Sequence, residues 1–283
     1  MGYKLRILSL GAGVQSTALY LMAERGEAEA FHCAIFSDTG WEHLPTYQHL
    51  EWLRTVGKTP IITVTPAYGS IFDWHLEDRM RKTGEGQSYI NFPCHTQWNG
   101  RKGMLRRQCT KNFKILPIRK EIRRLLGVGD RRIPEGAVEL SMGISLEEAH
   151  RMFRSNVKYI HQRFPLVDMR MTRWDCETWL ARNYNGLVVP KSACVGCPFR
   201  SNTEWQEVKR IPEEWAQAVR LDEAIRCKGI DQGQLDGRLY LHASLQPLGV
   251  VDLQVADPRQ AQFDFMKQDR LAMMVGGLSG EAL

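Results

Sequence analysis

Three alternating strand and helix patterns occupy the first 82 residues, and they leave few folds open to this part of the chain. The strand candidates are short, mainly apolar stretches, typical of buried strands, at 4–10, 30–40 and 59–66. A helical pattern follows each run, at 15–26, 44–57 and 70–82. Because helices with short links join parallel strands, this order predicts an α/β fold with a doubly wound parallel sheet.

The pattern is less regular beyond residue 82. Residues 83–103 are polar and aperiodic and predict a long loop, and a helix, a strand and a short helix are expected over 114–127, 137–145 and 146–153. Thr172, with Asp175 three residues later, is expected to cap a further helix. We therefore expect an α/β domain over 1–165 and a mainly helical C-terminal region over 166–283.

Composition and cysteine content indicate a cytoplasmic protein without a membrane partner. Hydrophobic residues make up 43% of the 283 residues and charged residues 25%, as in ordinary globular chains. No apolar run approaches the roughly 18 residues that span a bilayer. The first residues lack a signal-peptide pattern, so the seven cysteines favour metal binding or catalysis over disulfides.

The net charge of +6 is unevenly distributed along the chain. Basic residues concentrate in the middle, at 79–82, 100–114 and 119–132. This concentration indicates an anionic partner, either a nucleic acid or a nucleotide. The alternative interpretation is a helix face that its lysines and arginines merely solvate.

A glycine-containing turn, LSLGAGVQSTAL at residues 8–19, joins the first strand to the first helix. Glycines allow backbone N–H groups to face an anion, and the helix N-terminus adds its dipole. Ser9, Ser16 and Thr17 contribute hydroxyl groups. Three interpretations are open: a dinucleotide-binding turn with Asp38 as the ribose acid, another kind of phosphate loop, or a turn without a ligand.

Residues 9–17 resemble the pyrophosphate loop of the PP-loop ATP pyrophosphatases, S-G-G-x-D-S/T, with Gln15 in place of the usual aspartate. Further segments resemble the PAPS reductase branch of that superfamily. They are the run Asp38, Thr39, Gly40 with Pro45 and Thr46, the set Gly143, Glu148 and Arg151, and the set Pro165, Leu166, Thr172, Asp175 and Trp179. The resemblance covers residues 5 to about 200 and implies the same α/β fold, with 1–165 as the nucleotide-binding domain.

The resemblance also implies a reaction and its cofactors. ATP or another adenine nucleotide binds with Mg²⁺, the α–β phosphate bond is cleaved, and AMP is placed on a substrate oxygen. The cofactor-binding residues it implies are Ser9, Gly11, Ala12, Gly13, Gln15, Ser16, Thr17, Phe36, Ser37, Asp38, Thr39 and Gly143. It implies catalytic roles for Asp38, near the ribose or the reaction centre, and for Lys111 and Arg151, which neutralise the departing pyrophosphate.

Three cysteines form a candidate metal site. Cys194 and Cys197 form a C-x-x-C pair, which fits a redox pair, half of a zinc site or part of an iron–sulfur site. The surroundings of Cys109 resemble the cysteine-bearing segment of adenylyl-sulfate reductases, and three cysteines are the number found in iron–sulfur PP-loop tRNA thiolases. The resemblance therefore implies a [4Fe-4S] cluster on Cys109, Cys194 and Cys197, with Cys94 as an alternative fourth ligand. Zinc, or cysteines without a metal, are the alternatives.

The sequence favours an ATP-dependent enzyme that adenylylates a nucleic-acid base or a related substrate and transfers sulfur or another nucleophile with the help of the cluster. The expected partners are tRNA or DNA, a sulfur- or electron-donor protein, and a second copy of the chain in a homodimer. A sulfonucleotide (PAPS or APS) reductase is the second hypothesis, although no cysteine follows Cys227 to act as a thiol on the C-terminal tail. A non-catalytic nucleotide-binding accessory protein is the third.

Overall fold

A computed structural model describes residues 5–67, 69–76, 92–98, 100–152, 155–231 and 237–255. The chain divides into two compact units, each described here by itself. The first unit comprises Met1–Phe92 and Arg106–Cys194, and the second comprises Pro93–Leu105 and Val195–Leu283. This division differs from the boundary expected at residue 165, because residues 166–194 pack with the first unit.

The first unit is built on a five-stranded, all-parallel sheet with the strand order β3-β2-β1-β6-β7. Its strands are β1 (Leu5–Leu10), β2 (Cys33–Ser37), β3 (Ile61–Val64), β6 (Val138–Met142) and β7 (Ile160–Arg163). Leu8 of the central strand β1 lies opposite Ala34 of β2 on one side and Ser141 of β6 on the other. The sheet grows outward from β1 to β3 and then continues on the other side of β1, so the expected doubly wound α/β fold is confirmed.

Helices cover both faces of this sheet. They are α1 (Val14–Glu24), α2 (Leu44–Val56), α3 (Ile71–Leu76), α4 (Leu116–Leu125), α5 (Pro165–Asp168) and α6 (Arg173–Asn183). One core joins Leu8 and Phe36 of the strands to α1 and α6, and includes Leu180. The other joins alternate strand residues, such as Ile7, to Ile122 of α4. Burial on both faces explains why the first three strands are mainly apolar.

Two short helical segments flank the region expected to bind phosphate. A π-helix, Thr110–Ile115, leads directly into α4, and a 3₁₀ helix, Leu146–Arg151, follows β6. The cap predicted for α6 is confirmed, because the Asp175 N–H donates to Thr172 Oγ1 (3.2 Å) and the Thr172 N–H donates to Asp175 Oδ2 (2.8 Å). This capping box fixes the start of α6 at Arg173.

The second unit combines helices with a small antiparallel sheet of order β5-β4-β8. Its elements are β4 (His95–Trp98), β5 (Arg101–Met104), α7 (Asn202–Lys209), α8 (Pro212–Ile225), α9 (Lys228–Asp231) and β8 (Leu239–Tyr240). The predicted loop over 83–103 is therefore wrong for residues 95–98 and 101–103, which belong to the antiparallel strands β4 and β5, and residues 83–91 lie outside the described residues. Within the described part of the chain, every helix is too short or too polar to span a bilayer.

Candidate functional site

A cavity of about 410 Å³ lies in the first unit at the carboxyl ends of β1 and β6. Ser9 and Gly11 border it from the end of β1, and Met142 and Gly143 border it from the end of β6. These two strands are the neighbours at which the strand order of the sheet changes direction. In open α/β sheets, this switch point is the place where ligands bind.

The N-terminus of α1 opens onto the cavity. The helix begins at Val14 after Gly13, its first turn contains no acidic residue, and no side chain caps it. Ser16 closes the turn, because its Oγ accepts from the Gly11 N–H (3.2 Å) and donates to the Gly13 carbonyl (3.2 Å). Helix N-termini of this kind favour negative charge, through their uncapped N–H groups and the helix dipole.

Two segments distant in sequence complete the phosphate-loop region. The Ser192 hydroxyl donates to the Gly11 carbonyl. Gly143 lies so close to α1 that a Cβ atom built on it would be 2.7 Å from the Ser16 backbone nitrogen. The close approach of the two backbones therefore explains why the residue at position 143 has no side chain.

The cavity has a cationic part and an apolar part. Its described positively charged residues are Arg107, Lys114, Arg119, Arg151, Arg173 and Lys191. Glu148 is the one carboxylate among the described lining residues. The apolar lining comprises Val14, Ile115, Ile118, Leu140, Met142, Ile144, Ile160 and Pro190. Such a lining suits a ligand with an anionic part and a flat or apolar part, as in a nucleotide.

Most of the predicted phosphate-loop residues line this cavity. They are Ser9, Gly11, Gly13, Gln15, Ser16, Gly143 and Arg151. Ala12 and Thr17 are fully buried and do not line it. Thr17 Oγ1 lies 2.9 Å from His49 Nε2, and burial lowers the pKa of His49 to about 4. Thr17 thus contacts a neutral imidazole in the core.

The four residues predicted to bind the nucleotide at the end of β2 do not line this cavity. They are Phe36, Ser37, Asp38 and Thr39. Phe36 is buried, and the Ser37 hydroxyl donates to the Phe113 carbonyl (2.8 Å). Asp38 Oδ1 accepts from the Tyr47 hydroxyl and from the Gly40 N–H, both at 2.7 Å. Burial, with the hydrogen bond to Asp38 next, raises the pKa of Tyr47, which keeps this donor protonated.

Lysine 114 lies where Lys111 had been expected. Lys111 is exposed and does not line the cavity, whereas Lys114, three residues later on the π-helix, does. Lys114 Nζ lies 3.4 Å from Glu42 Oε1, whose side chain is fully buried. The charge of Glu42 is the largest cause that raises the pKa of Lys114, so the lysine stays protonated. In the sequence, Lys114 was marked only as one of the basic residues of the stretch 100–114.

Cys194 is buried and contacts Glu42, the partner of Lys114. A bridge pairs its backbone with Glu42. Cys194 Sγ lies 3.3 Å from Thr39 Oγ1 and 4.0 Å from Glu42 Oε1. Thr39 also donates to Glu42 Oε1 (3.0 Å). Lys114 therefore links this thiol group to the cavity.

The three predicted metal ligands differ in their surroundings. Cys109 is partly exposed just before the π-helix, Cys194 is buried beside Thr39, and Cys197 belongs to the second unit, as does the buried Cys94. Among the described residues, no three or more histidine, cysteine or acidic side chains gather into a group that could hold a metal ion. The cluster on Cys109, Cys194 and Cys197 stays a prediction.

The arginines of the basic run have mostly local partners. Arg123 donates to the Gly129 and Arg131 carbonyls, and Arg131 donates to the Gly127 carbonyl (3.1 Å). Arg124 pairs with Glu121. Arg123 and Arg131 thus satisfy carbonyl groups beyond the C-terminus of α4 and serve the fold of that loop, whereas Arg119 of the same run lines the cavity.

Comparisons with known proteins include a similarity to a solved structure. No protein-family model matches the chain, and no curated protein matches it. A solved structure of phosphoadenylyl-sulfate (PAPS) reductase from Candida auris, in a phosphate complex, is similar with a TM-score of 0.43 and 11% identity. The similarity covers 67% of this chain and 76% of that one.

Proposed function

We propose that the cavity at the ends of β1 and β6 binds the phosphates of an adenine nucleotide, and that the protein is an ATP-dependent enzyme of the PP-loop type. The observation that carries this proposal is the uncapped N-terminus of α1, which faces a cavity bordered by cations such as Lys114 and Arg151. Both features stabilise phosphate oxygens. The apolar lining on the α4 side, including Ile118, supports a nucleoside as the remainder of the ligand.

The reaction we propose is transfer of AMP. A substrate oxygen attacks the α-phosphorus, the bond to the bridging oxygen breaks, and pyrophosphate leaves. The N–H groups at the start of α1, together with Lys114 and Arg151, stabilise the charge that develops on the departing group. A sulfur or other nucleophile then displaces AMP from the activated carbon.

The acceptor we propose is a nucleic-acid base in tRNA or DNA. The local partners of the arginines in 119–132 make that run a weaker argument than the sequence indicated. In the second unit, β5 offers Arg101 and Lys102 on a strand whose residues are all exposed. An exposed basic strand of this kind suits contact with a phosphate backbone. A homodimer and a sulfur- or electron-donor protein remain further proposals.

We propose Mg²⁺ as a cofactor of the phosphate site, and an iron–sulfur cluster as a separate proposal. Mg²⁺ binds mainly through phosphate oxygens and water, with few protein carboxylates, which fits a cavity where Glu148 is the one described carboxylate. When bound, it would neutralise charge on the phosphates. An iron–sulfur cluster on Cys109, Cys194 and Cys197 is a separate proposal, and no step above depends on it. Iron and sulfide analysis of anaerobically purified wild-type and Cys109→Ser protein tests it.

Cysteine 194 favours a second candidate function, the reduction of an adenosine phosphosulfate. Its thiol is linked to the cavity through Glu42 and Lys114. In that reaction a thiolate attacks the sulfonate sulfur, the S–O bond to the nucleotide breaks, and a dithiol protein such as thioredoxin releases sulfite. Sulfite production from PAPS or APS that is lost in Cys194→Ser would support this candidate.

Calorimetric titration of the full chain with ATP, combined with a pyrophosphate-release assay on tRNA and DNA, tests the main proposal. We expect Arg151→Ala to weaken binding about tenfold, which corresponds to about 1.4 kcal/mol. Arg210→Ala is the matched control, because Arg210 also pairs with a glutamate three residues earlier, outside the cavity. Absence of ATP binding would refute the proposal, and binding without turnover on any acceptor would favour an accessory protein.

A further inference from the structure

Glutamine 15 replaces the motif aspartate and lies against a carboxylate. Its side-chain nitrogen, Nε2, donates to Glu148 Oε2 and to Ser145 Oγ, both at 3.3 Å. Ser145 is fully buried and stands at the start of the 3₁₀ helix Leu146–Arg151. The amide therefore joins the first turn of α1 to the segment that follows β6.

Glu148 also contacts a cation that lines the cavity. It forms an ion pair with Arg151, three residues later on the same 3₁₀ helix. Both residues line the cavity, and so does Gln15. The other end of the segment is fixed by the Leu146 N–H, which donates to the Met171 carbonyl (2.8 Å).

A carboxylate at position 15 would conflict with this arrangement. It would lie where the amide now donates to Glu148, and two carboxylates at such a distance cannot both remain ionised without a large cost. It would also place negative charge in the first turn of α1, where the phosphates of the proposed ligand bind. An amide avoids both effects, because it is neutral and supplies hydrogen-bond donors.

We propose that Gln15 is a positioning residue that holds Glu148 and, through it, directs Arg151 towards the anion in the cavity. The inference rests on the proposed phosphate site and assigns a purpose to the departure from the aspartate motif. Gln15 thus takes part in phosphate binding through the second helical segment, without contributing a negative charge of its own.

Titration of inorganic pyrophosphate into the full chain is the test. We expect Gln15→Glu to weaken pyrophosphate binding about tenfold relative to wild type at neutral pH. The deficit should shrink as the pH falls, because one carboxylate of the new pair takes up a proton at a raised pKa. Comparing the variant with wild type at each pH removes the titration of pyrophosphate itself. Gln48→Glu, which adds the same charge on an exposed part of α2, should bind like wild type.

A double-mutant comparison isolates the contact. In a Glu148→Gln background, the Gln15→Glu change should cost less than about threefold, because the repelling carboxylate is gone. Gln15→Met keeps the shape and lacks both donors and charge, so it should show a smaller loss without pH dependence. Failure of wild type to bind pyrophosphate would refute the phosphate site itself. Normal binding by Gln15→Glu, or an equal loss in the Glu148→Gln background, would overturn the inference while leaving the site intact.

Discussion

Replacing Gly143 with alanine tests the backbone contact on which the cavity is built. A Cβ atom at this position would lie 2.7 Å from the Ser16 nitrogen, 2.8 Å from the Ser16 Cα and 3.0 Å from the Gln15 carbonyl carbon. The shortest contact is 0.7 Å below the 3.4 Å at which ordinary van der Waals contact begins. All three atoms belong to the backbone of α1, so no side chain can rotate away to relieve the overlap.

The expected cost is that of overpacking, about 1–3 kcal/mol. Gly143 has no positive φ angle, so backbone strain does not contribute and the effect is steric. The two segments must separate by several tenths of an ångström, which moves the start of α1 relative to the residues after β6. We therefore expect Gly143→Ala to weaken pyrophosphate binding about tenfold, because the N–H groups at the start of α1 no longer face the anion in the same positions.

Thermal unfolding and calorimetric titration with pyrophosphate measure the two effects. Gly103→Ala is the matched control, because Gly103 also has no positive φ angle and its nearest neighbour to an added Cβ is a side-chain atom at 3.9 Å. We expect the control to behave like wild type in binding. A Gly143→Ala protein with unchanged melting temperature and unchanged pyrophosphate affinity would refute the steric argument.

Three further predictions concern ionisable side chains. Lys114→Met should weaken pyrophosphate binding about tenfold and change the rate at which Cys194 is alkylated, because the cation that links both sites is lost. For His49, folding lowers the pKa from 6.5 to about 4. As the pH falls, the unfolded chain therefore takes up a proton at His49 before the folded protein does. The free energy of unfolding should decrease by about 3 kcal/mol between pH 6.5 and about pH 4. Urea unfolding at each pH measures this decrease, and it should be absent in His49→Gln. Asp222→Ala should cost about 3–5 kcal/mol in urea unfolding, since Asp222 is fully buried and pairs with Arg226, and an exposed-pair control such as Glu207→Ala should cost less than about 1 kcal/mol.

The fold was predictable where sequence signals are local. The first three strands of the sheet are mainly apolar because helices cover both faces, and the cap of α6 depends on residues only three positions apart. The β7 strand was missed because its sequence, IHQR, is mostly polar and only its first residue is buried. The β4–β5 hairpin was missed for a related reason, since every residue of β5 is exposed.

The site was predictable only in part, because distant segments complete it. The loop residues 9–16 lie on one strand–helix connection, and a pattern can identify them. The hydrogen bond from Ser192 to Gly11 joins segments 181 residues apart, and the residues around Ser192 contain no pattern that predicts it. Lys111 and Lys114 are both basic, and the sequence does not reveal that the helix carrying them has π-helical hydrogen bonding, which changes the face that each residue occupies.

The second unit is assembled from two separate stretches of chain, and this has a consequence for its synthesis. The β4–β5 hairpin leaves the ribosome with Pro93–Leu105, whereas its partner strand β8 and the surrounding helices follow only after Cys194. Until then one edge of β4 lacks its neighbour, and unpaired strand edges of nascent chains are prone to non-native pairing. A fragment that ends at Cys194 would keep this edge permanently open. Separate production of the second unit therefore calls for a rearranged gene that encodes 93–105 next to 195–283.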